Sequence, residues 1–128
     1  ETGNELSFVS DQVGSPTASR DLAEAILVAA AAAAGGDAPW GTYHVAGDGA
    51  ASRVELAEAV LAARQRATGR GFVLHAVPAS AFPAPARRPR HSALDSGLFA
   101  SVFGYRCRPW KDAVSATVAE FFRRGEAP

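Results

Sequence analysis

Apolar and polar residues alternate at period two through Leu6-Ser7-Phe8-Val9-Ser10, which predicts a short, half-buried strand. Asp11 to Thr17 supplies a turn, because Gly14 tolerates a positive backbone angle and Pro16 disfavours helix at Ser15. The period then becomes helical. Ser19 is the expected N-cap, Asp21 falls in the first turn where the helix dipole favours an acid, and Leu22, Ile26 and Leu27 are predicted to share an inward face. The apolar run from Ile26 to Ala34 predicts a buried helix with a closely packed alanine tail, ended by Gly35-Gly36. Gly41 to Ala46 reads as a second strand. Gly47-Asp48-Gly49 turns it into a second helix, opened by Ser52-Arg53-Val54-Glu55, the sequence of a capping box. This helix is predicted to reach Thr68, with Val54, Ala57, Val60 and Leu61 inward, Glu58, Arg64 and Arg66 outward, and Gly69 and Gly71 breaking it.

Phe72 to Pro78 is the third predicted strand. Pro83, Pro85 and Pro89 then keep Ala79 to Pro89 irregular, as a long ordered loop or a mobile lid. Ser92 to Asp95 can extend, and Asp95 or Ser96 caps a brief helix, Gly97 to Phe103, that ends at Gly104. Pro109 opens the last helix. Its Trp110, Ala113, Val114, Thr117, Val118, Phe121 and Phe122 form one apolar stripe, better suited to a core than to cofactor contact. The expected fold is therefore α/β, with about four helices and three short strands in a single domain spanning residues 1–128.

Composition agrees with one globular domain: 128 residues, 48% hydrophobic and 20% charged. The lone Cys107 allows no internal disulfide and suits a reducing compartment, so the expected location is cytoplasmic. The run from Ile26 is too short to span a bilayer, and no membrane partner is expected. The absence of methionine predicts that Glu1-Thr2-Gly3-Asn4 belongs to the interior of a longer protein. Charge balances overall but not locally. Residues 1–85 carry five arginines against nine acids, whereas 86–128 carry eight Lys and Arg against four acids. That asymmetry is too local for nucleic-acid binding, which requires a broad basic face.

The basic excess concentrates in Ala86-Arg87-Arg88-Pro89-Arg90-His91-Ser92-Ala93-Leu94-Asp95. A guanidinium offers a planar fork of donors that matches phosphate oxygens two at a time, and Pro89 restricts the backbone that carries Arg88. An anion site is the functional reading, and a solvated basic loop is the bland one. Gly47-Asp48-Gly49-Ala50-Ala51-Ser52 is one residue short of a dinucleotide-binding fingerprint. Serine replaces its third glycine, and no acid stands between Glu58 and Asp95 to hold a ribose, so a tight turn is the better reading. His44, His75 and His91 lie far apart without neighbouring metal-type ligands, and His44 is expected in the core. No nucleophile elbow frames Ser10 or Ser92. The chain is thus expected to hold no catalytic, cofactor-binding or metal-binding residue of its own.

Taken in order, Asp11-Gln12-x-Gly14-x-Pro16-Thr17-x-x-x-Asp21-Leu22-Ala23, Gly41-x-Tyr43-His44-x-Ala46-Gly47, Arg88-Pro89-x-x-Ser92-x-Leu94-Asp95, Phe103-Gly104 and Pro109-Trp110 resemble the C-terminal portion of the dTDP-4-dehydrorhamnose reductases. These are extended short-chain dehydrogenase/reductases, and the resemblance covers nearly the whole chain. It implies a substrate-binding part that lacks most of the Rossmann sheet, within an enzyme that reduces a dTDP-4-dehydro-sugar with NADPH for dTDP-rhamnose and cell-surface polysaccharide biosynthesis. Mg2+ is often associated with the family. The implied partners are a dTDP-sugar nucleotide and the N-terminal Rossmann portion of the same protein. Arg88 is the implied diphosphate ligand, with Gln12 and Ser92 as neutral hydrogen-bonding groups and Arg87 and Arg90 ranked after them.

Two departures stand out. The family's catalytic tyrosine and lysine, four residues apart, have no equivalent, since the one lysine, Lys111, follows Tyr105 by six residues. Arg53 occupies a position where the family usually has an aromatic residue. NADPH is therefore expected to bind the full-length enzyme and not this chain alone. A different class of function is also open: the same fold serves as a non-catalytic, protein-binding regulatory subunit of methionine adenosyltransferase, and a free-standing basic binding domain is a third. Finally, a strand at Thr42 to Ala46 without its sheet predicts a homodimer that pairs or exchanges that strand.

Overall fold

The computed structural model describes residues 5–36, 38–86 and 88–125. Strand β1, Glu5–Val9, pairs in parallel with β4, Val73–Val77, in the register Glu5↔Val73 to Val9↔Val77. Both lie within one residue of the periodicity that predicts them. Two further strands, β2 (Val13–Gly14) and β3 (Ala51–Ser52), form a second, antiparallel pair too short to show any period in sequence. Helices α1 (Ser19–Gly35), α2 (Arg53–Thr68), α3 (Gly97–Phe103) and α4 (Trp110–Arg123) complete an α/β fold of four helices and short strands. Helix α2 packs against both α4 and β1. The buried apolar set is built mostly of small residues, with Phe99 and Trp110 as its large members. Among the described residues no helix is long and apolar enough to cross a membrane.

Local signals set the helix ends. The Ser52 hydroxyl accepts the Glu55 backbone N–H at 3.2 Å while the Glu55 carboxylate accepts that of Ser52 at 2.6 Å, closing the predicted capping box. Gly36, Gly69 and Gly104 take left-handed angles at the ends of α1, α2 and α3. At α3, Ser96 is the N-cap residue, and the cap-like bond comes from Asp95, whose carboxylate accepts the Gly97 N–H at 2.7 Å. Ser19 does not cap α1. Ala18 holds the N-cap position with extended angles and no side-chain bond.

Five further expectations are corrected. Gly41 to Ala46 forms no strand: β1 pairs with β4, and side chains tie the end of the segment. The N–H groups of Ala46 and Gly47 donate to the hydroxyls of Ser96 and Thr17 at 2.9 and 3.0 Å. Tyr43 packs edge-on against Phe103 and Phe99 at 5.0 and 6.2 Å, which leaves His44 exposed and not in the core. Helix α1 turns the opposite face inward: Asp21 and Ala25 are buried, while Leu22, Ile26 and Leu27 are 40%, 60% and 68% exposed and Ala30, Ala31 and Ala34 face solvent. A buried ion pair at Asp21 outweighs the aliphatic stripe in setting that rotation. On α2, Val60 is exposed, whereas Arg64 turns in to lie 4.4 Å from the Phe72 ring centre. On α4, Trp110 and Ala113 are buried as expected, but Phe121 at the other end of the stripe is 39% exposed beside an open groove.

Candidate functional site

Strand β2 is the scaffold of a cleft lined by arginines. Its antiparallel partner β3 lies on one side, in the register Val13↔Ser52 and Gly14↔Ala51, and the arginine segment lies on the other. Val13 N–H donates to the Arg90 carbonyl at 2.8 Å and Val13 carbonyl accepts the Ser92 N–H at 2.9 Å. The Ser15 hydroxyl accepts the Leu94 N–H at 3.0 Å, fixing the far end of the segment. The proline-rich loop is held at its start, where the Asp11 carboxylate accepts the Ala79 N–H at 2.8 Å. Three stretches remote in sequence, 11–15, 52–53 and 88–94, are thereby joined by backbone bonds, which hold position better than side-chain contacts alone.

Two adjoining cavities follow from this arrangement. A larger one, about 990 Å³, lies against β1 and the proline-rich loop, and a smaller one, about 350 Å³, runs along β2. Gln12, Arg53, Arg88 and Pro89 line both, Arg90 lines the larger, and Ser92 lines the smaller. Gln12, Arg88 and Ser92 are thus brought to one cleft. Arg87 lies outside the described residues. The Ser92 hydroxyl already donates to the Val13 carbonyl at 3.3 Å, so what it can offer a ligand is its lone pairs, as an acceptor. Arg53, Arg88 and Arg90 are exposed. Arginine side-chain bonds among the described residues belong instead to Arg20, Arg106, Arg108, Arg123 and Arg124. Among the described residues Asp11 is the one carboxylate lining the two cavities, against Arg53, Arg88 and Arg90. Sequence reasoning placed Arg53 only as an oddity; the Val13↔Ser52 register that carries it to the cleft is a long-range pairing with no sequence signature.

A separate polar cluster ties α1 to the loop before α4. Asp21, 1% exposed, accepts from Arg108 Nε and Nη2 at 2.8 and 2.5 Å, and its Oδ2 is buried with no partner among the described residues. The Tyr105 hydroxyl donates toward the Asp21 carbonyl at 3.0 Å and lies 3.3 Å from the Glu24 carboxylate. Burial, with Cys107 and the acids Glu24 and Asp21 nearby, pushes this phenol up to about 12. Burial also pushes the Cys107 thiol up. Lys111 lies elsewhere, with its ammonium 5.5 Å from the Trp110 ring centre. Tyr105 and Lys111 are therefore held by different neighbours.

The glycines of the turn Gly47-Asp48-Gly49 serve close packing. A Cβ at Gly47 would stand 2.0 Å from the Pro16 carbonyl oxygen, and one at Gly49, where φ is 95°, would stand 3.0 Å from the Trp110 ring. Among the described residues no three or more His, Cys, Asp or Glu side chains gather to hold a metal ion.

The described residues form an α/β unit with a positively charged cleft. The chain belongs to the RmlD substrate binding domain family, which matches residues 1–123. Over 128 residues it is 30% identical to a dTDP-4-dehydrorhamnose reductase of Sinorhizobium fredii, covering 98% of this chain and 43% of that protein. It is 32% identical over 120 residues to the spore coat polysaccharide biosynthesis protein SpsK of Bacillus subtilis, covering 94% of this chain and 38% of that one. Among solved structures, a dTDP-4-dehydrorhamnose reductase from Yersinia enterocolitica superposes with a TM-score of 0.76 at 26% identity, covering 93% of this chain and 39% of that chain. The same enzyme from Bacillus anthracis, in complex with NADP, gives 0.74 at 26% identity, covering 91% and 38%. The chain spans about two fifths of the length of these relatives.

Proposed function

We propose that residues 1–128 are a single substrate-binding domain, the C-terminal part of an NADPH-dependent dTDP-4-dehydrorhamnose reductase, and that the cleft on β2 receives the dTDP-sugar. Arg88 takes the diphosphate through its planar fork, with Gln12 and Ser92 supplying neutral hydrogen bonds. The observation that carries this reading is that Gln12 and Arg88 line the common wall of both cavities, where one ligand can run from the larger into the smaller. NADPH, the catalytic tyrosine and lysine, and any Mg2+ belong to the Rossmann portion in the complete enzyme. The chain itself binds, orients and shields the sugar nucleotide.

Two measurements test this. The 128-residue chain, given NADPH and the dehydro-sugar nucleotide, should consume no NADPH above background, since hydride positioning and proton transfer need groups it does not carry. In the full-length protein, Arg88→Ala should weaken dTDP-sugar binding by about 1.5–3 kcal/mol by calorimetry, and Arg90→Ala by clearly less, because Arg90 lines only the larger cavity. Equal losses at the two positions would mean a diffuse field and no specific ligand.

A further inference from the structure

We infer that Arg53 is a second anion anchor of the cleft, acting opposite Arg88 so that the site selects a nucleoside diphosphate over a monophosphate. The inference deepens the reading of the cleft as a dTDP-sugar site and rests on it.

The argument begins with a local cost. Arg53 is the first residue of α2, where the helix dipole is positive and a cation is disfavoured. Among the described residues no carboxylate pairs with it. The nearest in sequence, Glu55, accepts the Ser52 N–H at 2.6 Å and is committed to the capping box. The same box, with the pairing of Ser52 to Val13, fixes the backbone from which the Arg53 side chain leaves. An exposed cation, held on a rigid base at the wrong end of a helix and unpaired among the described residues, is explained by a ligand and not by the fold.

Its position says which ligand. Among the described residues Arg53 and Arg88 are the two cationic side chains that line both cavities, one carried by α2 and the other by the proline-bounded segment on the far side of β2. Two guanidinium groups approaching from opposite banks can each grip one phosphate of a diphosphate, and a single phosphate cannot use both forks fully. Asp11, the carboxylate in the larger cavity, is occupied by the Ala79 N–H, so repulsion of the anion there is reduced. At the helix terminus itself, the Glu55 N–H is already taken by Ser52.

The test is calorimetry on the full-length protein with dTDP and dTMP as probes, comparing the parent with Arg53→Ala, Arg88→Ala and the double variant. Arg53→Ala should weaken dTDP binding about tenfold or more, as loss of a charged hydrogen bond does, and dTMP binding less than about threefold. Its melting temperature should not fall, because a cation leaves the positive end of α2. Should Arg53→Ala fold poorly, Arg53→Gln keeps the polar stem and must give the same split between the ligands. Unchanged dTDP affinity in Arg53→Ala beside a tenfold loss in Arg88→Ala would overturn the role of Arg53 and leave the cleft reading standing. Equal losses for dTDP and dTMP would overturn the diphosphate preference. A parent protein that binds neither nucleotide would remove the cleft reading and this inference together.

Discussion

Single residues hold the two sides of the cleft apart and the polar cluster together. Gly47 is a contact that leaves no room for a side chain: it is buried, its N–H donates to the Thr17 hydroxyl at 3.0 Å, and the Pro16 carbonyl occupies the space of a Cβ. Gly47→Ala must move residues 16–17, which directly follow β2, and overpacking of this kind costs about 1–3 kcal/mol. Urea unfolding should show a lower midpoint with an unchanged slope. Tyr105 gives a pH signature. Its folded value near 12 lies above the ordinary 10, so the protonated phenol is favoured in the fold. That contribution is complete below pH 10 and is lost as pH rises through the folded value. The melting temperature should therefore fall more steeply between pH 10 and pH 12 in the parent chain than in Tyr105→Phe, and parallel curves would disprove the assignment.

At the scale of elements, what could be read from the sequence separates by range. The capping box of α2 involves Ser52 and Glu55 only, and its geometry matches its spelling. Ser52→Ala should cost about 1 kcal/mol in chemical denaturation. Bonds from the Ser52 backbone N–H first and its hydroxyl second, with Lys111 nearby, hold the Glu55 carboxyl below its ordinary value, so its share of stability is present at neutral pH and fades in acid. The penalty for Ser52→Ala should shrink in the same direction. The ends of α3 and α4 were equally legible, being set by Asp95, Gly104 and Pro109. Long-range features were not. Residues 41–46 have the composition of a strand, but β1 pairs with β4, and no local pattern states which segment finds a neighbour. The aliphatic stripe of α1 was legible while its direction was not, because that is decided by Arg108, 87 residues from Asp21. The arginine run and Gln12 could be singled out by charge and resemblance. Arg53 could not, since its place in the cleft depends on the two-residue pairing of β2 with β3.

For the whole molecule, the orientation of α1 changes how self-association should be understood. Within one chain the segment from Thr42 to Ala46 pairs with no strand. One uncovered apolar patch lies on α1, where Leu22 and Ile26 stand one turn apart and Leu27 beside them, all exposed. Aliphatic side chains gathered on one helix face lose free energy to water that a second copy of the chain can recover, at about 25 cal/mol per Å² covered. A symmetric pair that sets α1 against α1 is the simplest closed assembly available to it. The 128-residue chain should therefore elute above its monomer mass at micromolar concentration in size exclusion with light scattering. The double substitution Ile26→Lys, Leu27→Glu should return it to a monomer without loss of helical circular dichroism, since both replacements are good helix formers at exposed positions. A parent chain that is already monomeric, or a variant that still associates, would show that the α1 face is not the contact. The helix would then owe its exposed stripe to the remainder of a longer protein, of which this chain would match about two fifths, as it does in its relatives.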